Sequence, residues 1–489
     1  MKSNGYFPVI GLEVHVELKT VSKMFCGCPA LFGSKPNRLI CPVCTAQPGS
    51  LPVINKAAME IAVRAALSLN CRINPVSIFA RKNYFYPDLP KSYQISQYEQ
   101  PLGENGYLGL ESGKKVLIKR VHMEEDTGKL LHSIGSRQLD YSLVDFNRSG
   151  IPLLEIVTEP DIFTVDDAYE YLSYLRIVLR YADISECDME KGTLRCDANI
   201  SVLKEDLGKS FGIEGRALGT KAEIKNMNSF KAVKEALLYE FERQIKVLEE
   251  GGRIVHETRL WDDKKMFTAP MRSKEEAHDY RYFPEPDLLP MSFGEDYLAK
   301  IKRMLPEMPQ DRKKRFMEKY GLSDYDAGVL TSEKALADFF ENVAYGDASI
   351  AKEATRWITS ELMGKLNTAG KTITESPVSP DALLELIKLI KDDTISGKIA
   401  KTVLDEMFST GAAPGEIIKK KGLKQISDEK SIIPVIEEVL RENQKAVEEY
   451  RAGKKQAMGA LIGAAMKKTG GRVNPQVLNV ILKQKVELS

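Results

Sequence analysis

The sequence predicts an α+β protein, in which an antiparallel sheet region comes first and an all-α region and a small helical tail follow. Residues 9–18 alternate without a break between apolar and polar side chains, which is typical of a half-buried β-strand. Several later segments alternate in the same way. Beyond the proline-rich segment 284–290, the pattern changes to helical periodicity.

The length and composition are those of a multidomain globular protein. The chain has 489 residues, of which 43% are hydrophobic and 28% are charged, and a chain of this length is expected to form two to four domains. No apolar run approaches the roughly 20 residues that a membrane helix needs, and the N-terminus lacks the apolar core of a signal peptide. We therefore expect a cytoplasmic protein that has no membrane contact.

The charges are unevenly distributed along the chain. The net charge is +1, but residues 415–489 carry 15 Lys and Arg against 9 Asp and Glu. A basic end of this kind indicates contact with a polyanion such as a nucleic acid. A solvated helical surface without such a partner is the alternative.

The first predicted strand has a polar face that carries Glu13, His15 and Glu17. Side chains two residues apart in a strand lie on the same face, so the imidazole is flanked by two carboxylates. This arrangement suits a metal site, although a solvated sheet face would show the same pattern.

Four of the seven cysteines lie within nineteen residues, as Cys26, Cys28, Cys41 and Cys44. Two close pairs with a loop between them have the spacing of a structural zinc site, whose four thiolates leave no position for a substrate. Four buried or free thiols are the alternative. An odd total in a cytoplasmic chain argues against disulfides. The remaining cysteines are expected in the core, at Cys71, Cys187 and Cys196.

The segment 80–97 is too rich in Pro and Tyr for a helix and too polar for a core strand. It is predicted to be a shaped loop, in which Lys82 and Lys91 are available to bind an anion.

Three helices of the sheet-containing part of the chain are expected to begin at N-cap residues, and these are Asn55, Thr164 and Ser229.

Later predicted strands add further polar faces. One ends in Glu124 and Glu125, and Glu155 lies inside an apolar run. Burying an unpaired carboxylate is costly, so Glu155 should be paired or bound to a metal. The segments 193–202 and 220–226 also alternate. Their polar side chains are Arg195, Asp197, Asn199, Lys221, Glu223 and Lys225, and Arg259 adds a positive charge.

Acidic, imidazole, amide and cationic side chains on a sheet face can hold a divalent metal and a phosphate together. The sequence has no P-loop of the form G-x-x-x-x-G-K-[ST], and no G-x-G-x-x-G follows a strand. A nucleotide would therefore bind on the sheet and not at a helix N-terminus. The residues alone predict a metal- and phosphate-binding antiparallel sheet, joined to a helical region with a basic tail.

Several motifs resemble those of the B subunit of the bacterial glutamyl-/aspartyl-tRNA amidotransferase. They are GLEVHVEL (11–18), RKNYFYPD (81–88), HMEEDTGK (122–129), RCDANIS (195–201) and DYRYFPEPD (279–287). The tail segment GKKQAMG (453–459) is also similar to the family, so the resemblance covers nearly the whole chain.

The resemblance implies an antiparallel cradle of glutamine synthetase-like fold, in a heterotrimer with an amidase (the A subunit) and a small C subunit. Such a protein uses ATP and Mg²⁺ to phosphorylate the side-chain carboxylate of Glu on tRNA(Gln) or of Asp on tRNA(Asn). Ammonia that the amidase releases from glutamine then displaces phosphate. We expect a catalytic domain at 1–292 with a zinc-binding insertion at about 26–44, a helical domain at 293–410 and a basic tRNA-binding tail at 411–489.

The resemblance also implies roles for individual residues. The implied Mg²⁺ ligands are His15, Glu125 and Glu155, with Glu13 and Glu124 as near alternatives. The expected catalytic residues are Glu125, Glu155, Lys221 and Lys225. The expected contacts to ATP and substrate are Lys82, Lys91, Arg195, Asp197, Asn199, Glu223 and Arg259. The expected Zn²⁺ ligands are Cys26, Cys28, Cys41 and Cys44. The expected tRNA-binding residues are Lys454, Lys455, Lys467, Lys468 and Arg472.

Two other functions fit parts of the sequence. A small-molecule ligase of the glutamine synthetase type would need no basic tail. A non-catalytic tRNA-binding scaffold would be repelled from RNA by the acidic strand faces. Removing residues 415–489 should abolish tRNA affinity in the tRNA-dependent enzyme and leave the small-molecule ligase unchanged, whereas a scaffold would never consume ATP. The chain shows neither an amidase signature nor a Cys-His glutaminase motif, so the ammonia is expected from a partner.

Overall fold

A computed structural model describes residues 5–135, 137–204, 217–271, 280–423, 429–469, 473 and 475–488. The chain separates into two compact units, Met1–Met308 and Pro309–Ser489. The first is a mixed α/β unit built on one large sheet, and the described part of the second is helical. Among the described residues, no helix is both long and apolar enough to cross a membrane.

The first unit contains strands and four helices in its described part. The strands are β1 (Tyr6–Glu17), β2 (Arg72–Ile73), β3 (Val76–Ser77), β4 (Ala80–Asn83), β5 (Tyr93–Ser96), β6 (Gly103–Gly109), β7 (Lys115–Glu125), β8 (Lys129–Ile134), β9 (Arg137–Asp145), β10 (Pro152–Thr158), β11 (Leu194–Lys204), β12 (Ala222–Lys225), β13 (Glu257–Asp262), β14 (Phe267–Pro270), β15 (Phe283–Pro284) and β16 (Met291–Ser292). The helices are α1 (Lys56–Ser68), α2 (Val165–Tyr181), α3 (Phe230–Glu249) and α4 (Glu295–Met304).

Nine strands form one sheet in the order β14-β13-β12-β11-β1-β10-β7-β6-β2, so β1 lies at its centre. Neighbouring strands are antiparallel except for β12 and β13, which are parallel. The prediction of an antiparallel sheet is therefore corrected to a mixed sheet. Helix α3 connects the two parallel strands, and a crossover of this kind is what parallel neighbours require.

The two faces of the sheet differ in polarity as the alternation in β1 predicts. One face packs against α1, α2 and α3 in the main core, and the other carries charged side chains. The core side chains of β1 include Ile10, Leu12, Val14 and Val16, all of them fully buried. The predicted caps are confirmed, because backbone N–H groups at the starts of the three helices donate to the side chains of Asn55, Thr164 and Ser229.

A β-bulge in β7 reverses the faces of that strand. The pairing of β7 with β10 skips Lys119. The core side chains of β7 are Val116 and Ile118 before the bulge, and Val121 and Met123 after it. A bulge adds one unpaired residue and so shifts every following side chain to the other face. The polar face beyond the bulge consists of Arg120, His122 and Glu124.

The second unit contains two separate hydrophobic cores in its described part. The helices of the first core region are α5 (Pro309–Tyr320), α6 (Asp324–Leu330), α7 (Lys334–Ala344), α8 (Ala348–Arg356), α9 (Met363–Thr368), α10 (Pro380–Lys391), α11 (Gly397–Thr410) and α12 (Pro414–Lys421), with a π-helical turn at Trp357–Leu362 and a 3₁₀ turn at Ile373–Glu375. The helices of the second are α13 (Glu429–Glu442), α14 (Gln444–Arg451), α15 (Ala457–Lys468) and α16 (Pro475–Leu488). The predicted boundaries at 292 and 410 stay predictions.

Candidate active site

The polar face of the sheet forms the floor of a cavity of about 830 Å³. Seven carboxylates and five Lys or Arg side chains line this cavity. Of the predicted site residues, it brings together Glu13, His15, Lys82, Glu155, Arg195, Asp197, Glu223 and Lys225. The floor comes from the central strands β1, β7, β10, β11 and β12, so the antiparallel registers of the sheet fix the spacing of these side chains.

Three metal-ligating side chains converge at the centre of the floor. His15 pairs in register with Glu155 across β1 and β10, and its Nε2 lies 3.4 Å from Glu155 Oε2 and 3.7 Å from Glu124 Oε1. One potential ligand atom from each of the three side chains lies within 4.8 Å of the other two. We call His15, Glu124 and Glu155 the three-donor cluster.

The electrostatics of the three-donor cluster follow from its burial. Burial lowers the pKa of His15, but the hydrogen bond and the charge of Glu155 and the charge of Glu124 outweigh this effect and raise the pKa to about 9. Burial raises the pKa of Glu155, but the neighbouring imidazoles of His122 and His15 outweigh it and hold the pKa well below its usual range. Glu155 is therefore a carboxylate, as a metal ligand must be.

His122 lines the cavity, although its role in the site was not predicted from the sequence. Its Nε2 lies 3.1 Å from Glu155 Oε2, and its buried Nδ1 has no hydrogen-bond partner in the described part of the chain. It pairs directly with Glu155 across β7 and β10. The available signal was the two-residue spacing from His122 to Glu124, which puts both on one face of β7.

The structure brings Glu124, and not the predicted Glu125, to the three-donor cluster, and the choice of metal ligand stays a prediction. Counting the alternation from the start of β7 puts Glu125 on the polar face, but the bulge at Lys119 reverses the faces. Glu125 is 3% exposed on the opposite side. There it accepts a hydrogen bond of 3.0 Å from the Ile95 backbone N–H and forms an ion pair with Lys91. Consequently, neither Glu125 nor Lys91 lines the cavity.

Two predicted cations of the polar face are held by carboxylates. Arg195 Nη2 lies 2.7 Å from Asp126 Oδ2. Lys225 Nζ lies 2.7 Å from Asp197 Oδ2 and 3.0 Å from Glu223 Oε1. Burial lowers the pKa of Lys225, but the two carboxylates outweigh it and raise the pKa, so this side chain stays cationic.

Glu13 and Asn199 form a second polar contact beside the three-donor cluster. Asn199 Nδ2 donates to Glu13 Oε1 over 3.0 Å, and the buried Asn199 Oδ1 has no partner among the described residues. Burial and the charges of Glu155 and Glu223 raise the pKa of Glu13. Glu13 thus lines the cavity, but it is not one of the three converging donors.

Lys82, a predicted contact to ATP or substrate, and Lys221, a predicted catalytic residue, differ in their placement. Lys82 lines the cavity, and the charge of Glu124 raises the pKa of this lysine although burial opposes the shift. Lys221 is exposed just before β12 and does not line the cavity.

Arg259 lies on the helix-facing side of the sheet. It is 7% exposed and its Nε lies 3.4 Å from Glu240 Oε2 of α3. The structure therefore does not bring Arg259 to the cavity. Trp261, two residues further along β13, belongs to the core. Because residues two apart in a strand share a face, this tryptophan indicates in the sequence that Arg259 lies on the core side.

The three-donor cluster fits a divalent cation. Two carboxylates are the ligands that Mg²⁺ prefers, and the imidazole is a softer third donor. Seven carboxylates against five Lys and Arg side chains line this cavity, and the charges of Glu155 and Glu223 add to burial in raising the pKa of Glu13. A divalent cation between Glu124 and Glu155 would offset this repulsion.

The four clustered cysteines fit a tetrahedral metal. The Sγ atoms of Cys26, Cys28, Cys41 and Cys44 all lie within 4.8 Å of one another, and a tetrahedral site with bonds of about 2.3 Å needs edges of about 3.8 Å. The hydrogen bond with Cys26 and the charge of the nearby Lys23 ammonium help to lower the pKa of Cys44 to about 4, although burial opposes the shift. Lys23 is fully buried, with its Nζ 3.5 Å from Cys44 Sγ.

The predicted tRNA-binding lysines of the tail differ in their environments. Lys454, Lys455 and Lys467 are exposed. Lys468 Nζ lies 2.7 Å from both Glu438 and Glu442, so its charge is already offset. A predicted fifth residue, Arg472, lies outside the described residues.

Comparisons with known proteins identify the family. Residues 8–299 match the family described as the GatB/GatE catalytic domain, and residues 338–486 match the one described as the GatB domain. Relatives named as the B subunit of aspartyl/glutamyl-tRNA(Asn/Gln) amidotransferase include one from Caldanaerobacter subterraneus, 53% identical over 98% of this chain and 99% of its own length. Another, from Geobacter sulfurreducens, is 49% identical over 99% of this chain and 100% of its own length. The chain belongs to the family of aspartyl/glutamyl-tRNA(Asn/Gln) amidotransferase B subunits.

Proposed function

We propose that the cavity phosphorylates the side-chain carboxylate of Glu on tRNA(Gln), of Asp on tRNA(Asn), or of both, and then converts it to the amide. The observation that carries this proposal is the three-donor cluster at the centre of a polar sheet face, with Arg195 and Lys225 beside it. A place that gathers carboxylates, an imidazole and fixed cations suits phosphoryl transfer, which depends on positioning and charge stabilisation.

The chemistry explains why ATP is needed. Ammonia does not displace oxide from a carboxylate at a useful rate, because the leaving group is too basic. In the first step a carboxylate oxygen of the aminoacyl side chain attacks the γ-phosphorus of ATP and ADP leaves. In the second step ammonia attacks the carbonyl carbon, and phosphate leaves with the former carboxylate oxygen. The product is the amide, and the proton that ammonia loses is taken up by the departing phosphate.

His15, Glu124 and Glu155 would hold Mg²⁺, and His122 would fix the orientation of Glu155 through the 3.1 Å contact. When bound, Mg²⁺ supplies positive charge to the phosphate oxygens. Arg195 and Lys225 are held in place by their carboxylate partners, so they need little reorganisation to stabilise charge that develops on the transferred phosphoryl group.

The glutamine synthetase-like cradle is part of this proposal. It is supported by the placement of the site, because the converging donors come from the faces of β1, β7 and β10 and not from a glycine-rich loop before a helix. The proposed catalytic domain occupies residues 1–292. The cysteine cluster lies within it and is proposed to bind one structural Zn²⁺, since four thiolates would fill the coordination sphere.

The ammonia is proposed to come from an amidase, the A subunit, with a small C subunit to complete a heterotrimer. The relatives are named as one subunit of an amidotransferase. The chain's seven cysteines are in the cysteine cluster or buried as Cys71, Cys187 and Cys196, so none is placed as an exposed glutaminase nucleophile. The proposed place of action is the cytoplasm, where aminoacyl-tRNA is used.

Binding of the tRNA body is proposed for the tail, residues 411–489, with a helical domain at 293–410 before it. Support comes from the excess of Lys and Arg over Asp and Glu in residues 415–489. Lys454, Lys455 and Lys467 are exposed and can reach phosphates.

The experiment is phosphate release from ATP by the complete complex, measured with Glu-tRNA(Gln), with Asp-tRNA(Asn) and with free glutamate. We expect tRNA-dependent release in the wild type, and its loss in His15→Ala and Glu155→Ala while glutamine hydrolysis by the partner survives. Release with free glutamate would favour a small-molecule ligase. Normal ATP hydrolysis by both variants would place the phosphoryl-transfer site elsewhere.

A further inference from the structure

Two side chains that line the cavity, the aromatic Tyr98 and the cationic Arg120, have no role in the proposed reaction so far. We propose that Tyr98 and Arg120 form a subsite for an adenosine nucleotide, in which the base stacks on Tyr98 and Arg120 contacts a phosphate. This inference rests on the proposed function, which requires two adenosine-containing ligands, ATP and the 3′ end of tRNA.

The aromatic part is a stacked tyrosine pair. The rings of Tyr98 and Tyr282 are 4.2 Å apart and nearly parallel, at 5°. Tyr282 packs in turn against the edge of Tyr280, so Tyr98 is supported from one side. Tyr98 is 46% exposed and lines the cavity. A supported ring with free surface is the kind of platform on which nucleobases stack.

The cationic part is Arg120 on the polar face of β7. Its Cζ lies 5.8 Å from the centre of the Tyr98 ring. In the described part of the chain no carboxylate lies within ion-pair distance of Arg120, and its buried Nε has no hydrogen-bond partner. Arg195 and Lys225, by contrast, are each held by carboxylates. A half-buried guanidinium without an anion suits a phosphate.

The position fits a nucleotide whose reactive end reaches the three-donor cluster. Arg120, His122 and Glu124 share one face of β7, so Arg120 lies about 13 Å from Glu124 along the strand. Both residues line the same cavity. A ligand with its base on Tyr98 can therefore extend along β7 to the reaction centre.

A purely structural explanation is that Tyr98 stabilises the packing of residues 280–284 against the sheet. That explanation accounts for the stacked rings, but it leaves unexplained why Arg120 has no carboxylate partner among the described residues. The two explanations differ in what they predict for substitution of Tyr98. If the residue only stabilises the packing, its substitution should lower the free energy of unfolding and should not change the affinity for one substrate alone.

The test uses the complete complex and four variants: Tyr98→Leu, Tyr98→Phe, Arg120→Gln and, as a matched control, Tyr169→Leu. Tyr169 is 41% exposed on α2. One arm measures KM for ATP at saturating Glu-tRNA, and the other KM for Glu-tRNA at saturating ATP. A third reads the fluorescence of tRNA with 2-aminopurine as its 3′-terminal base, which is quenched on stacking.

We expect Tyr98→Leu and Arg120→Gln each to raise one of the two KM values about tenfold or more, and Tyr98→Phe to retain wild-type values. A rise for ATP alone assigns the subsite to ATP. A rise for Glu-tRNA alone, with lost quenching, assigns it to the tRNA terminus. Unchanged KM values in both Tyr98→Leu and Arg120→Gln would overturn the proposal, as would equal effects of Tyr98→Phe and Tyr98→Leu or a matching effect of Tyr169→Leu. A wild-type complex without tRNA-dependent ATP hydrolysis would instead overturn the proposed function.

Discussion

The adjacent glutamates Glu124 and Glu125 provide a matched pair of variants, because the structure gives them opposite roles. Glu124 Oε1 lies 3.7 Å from His15 Nε2 in the three-donor cluster, whereas Glu125 is bound to Lys91 on the other side of the sheet. Replacing either with Gln removes one charge and keeps the shape. The pair therefore tests which side of β7 binds the metal ion.

The expected magnitudes follow from these environments. A unit charge about 4 Å from a divalent ion contributes about 8 kcal/mol at an effective dielectric constant of about 20. The amide oxygen of Gln would recover part of this, so we expect Glu124→Gln to lower Mg²⁺ and Mn²⁺ affinity by about 10²-fold. Glu125→Gln breaks a buried ion pair, so it should lower the free energy of unfolding by about 3 kcal/mol and leave ion affinity within about twofold of wild type.

Isothermal titration calorimetry with Mn²⁺ measures the first effect, and thermal and denaturant unfolding measure the second. The wild type and both variants are compared at one pH and ionic strength. If Glu125→Gln lost ion binding while Glu124→Gln kept it, the reversal of faces by the bulge at Lys119 would be refuted as the basis of the site.

Three further predictions concern the histidine, the cysteine cluster and the tail. The pKa of His15 is raised to about 9, so metal binding at pH 7 must displace a proton. Metal affinity should therefore rise with pH up to about 9. Calorimetry in two buffers of different ionisation enthalpy should detect proton release on metal binding by the wild type but not by His15→Gln. Elemental analysis should find about one zinc per chain in the wild type and in Cys71→Ser, whose thiol is not one of the four clustered thiols, but none in Cys28→Ser. Zinc loss from Cys71→Ser would contradict this. Lys467→Ala should weaken tRNA binding in filter assays and reduce the slope of log affinity against log salt concentration by about 1. Lys468→Ala should weaken tRNA binding less, because two glutamates already offset the charge of Lys468. A larger effect of Lys468→Ala than of Lys467→Ala would argue against the tail as the binding surface.

Much of the site could be predicted from strand alternation alone. Regular alternation over β1 placed His15 on the polar face, and the apolar run around Glu155 indicated a carboxylate that needed a partner. The structure pairs these two residues directly across neighbouring strands. Alternation in β11 likewise put Arg195 and Asp197 on the same face. Period 2 is a local property of the chain, so sequence alone is sufficient for such assignments.

The structure departs from the expected placements where tertiary structure overrides the local pattern. The bulge at Lys119 depends on the pairing of β7 with its neighbours, and a single sequence does not show it. Because of the bulge, Glu124 and not Glu125 lies beside His15 and Glu155. The parallel pairing of β12 with β13 follows from the crossover through α3, which also brings Glu240 beneath Arg259.

Ion-pair partners from distant segments were also beyond the sequence. Lys91 was predicted to be available for an anion, but Glu125 at the end of β7 forms an ion pair with it. Arg120 is the opposite case, because it has no ion-pair partner among the described residues. Such availability depends on which side chains the fold brings together over long sequence separations, and composition does not determine it.

The most direct test of the central claim follows the oxygen atoms of the substrate. Glu-tRNA(Gln) labelled with ¹⁸O in its side-chain carboxylate is converted by the complete complex with ATP and glutamine, and the released phosphate is analysed by mass spectrometry. The proposed chemistry predicts one ¹⁸O atom in each phosphate released during amide formation, and loss of both products in Glu155→Ala. Amide formation by the wild type with unlabelled phosphate would show that the carboxylate is never phosphorylated, and would contradict the account.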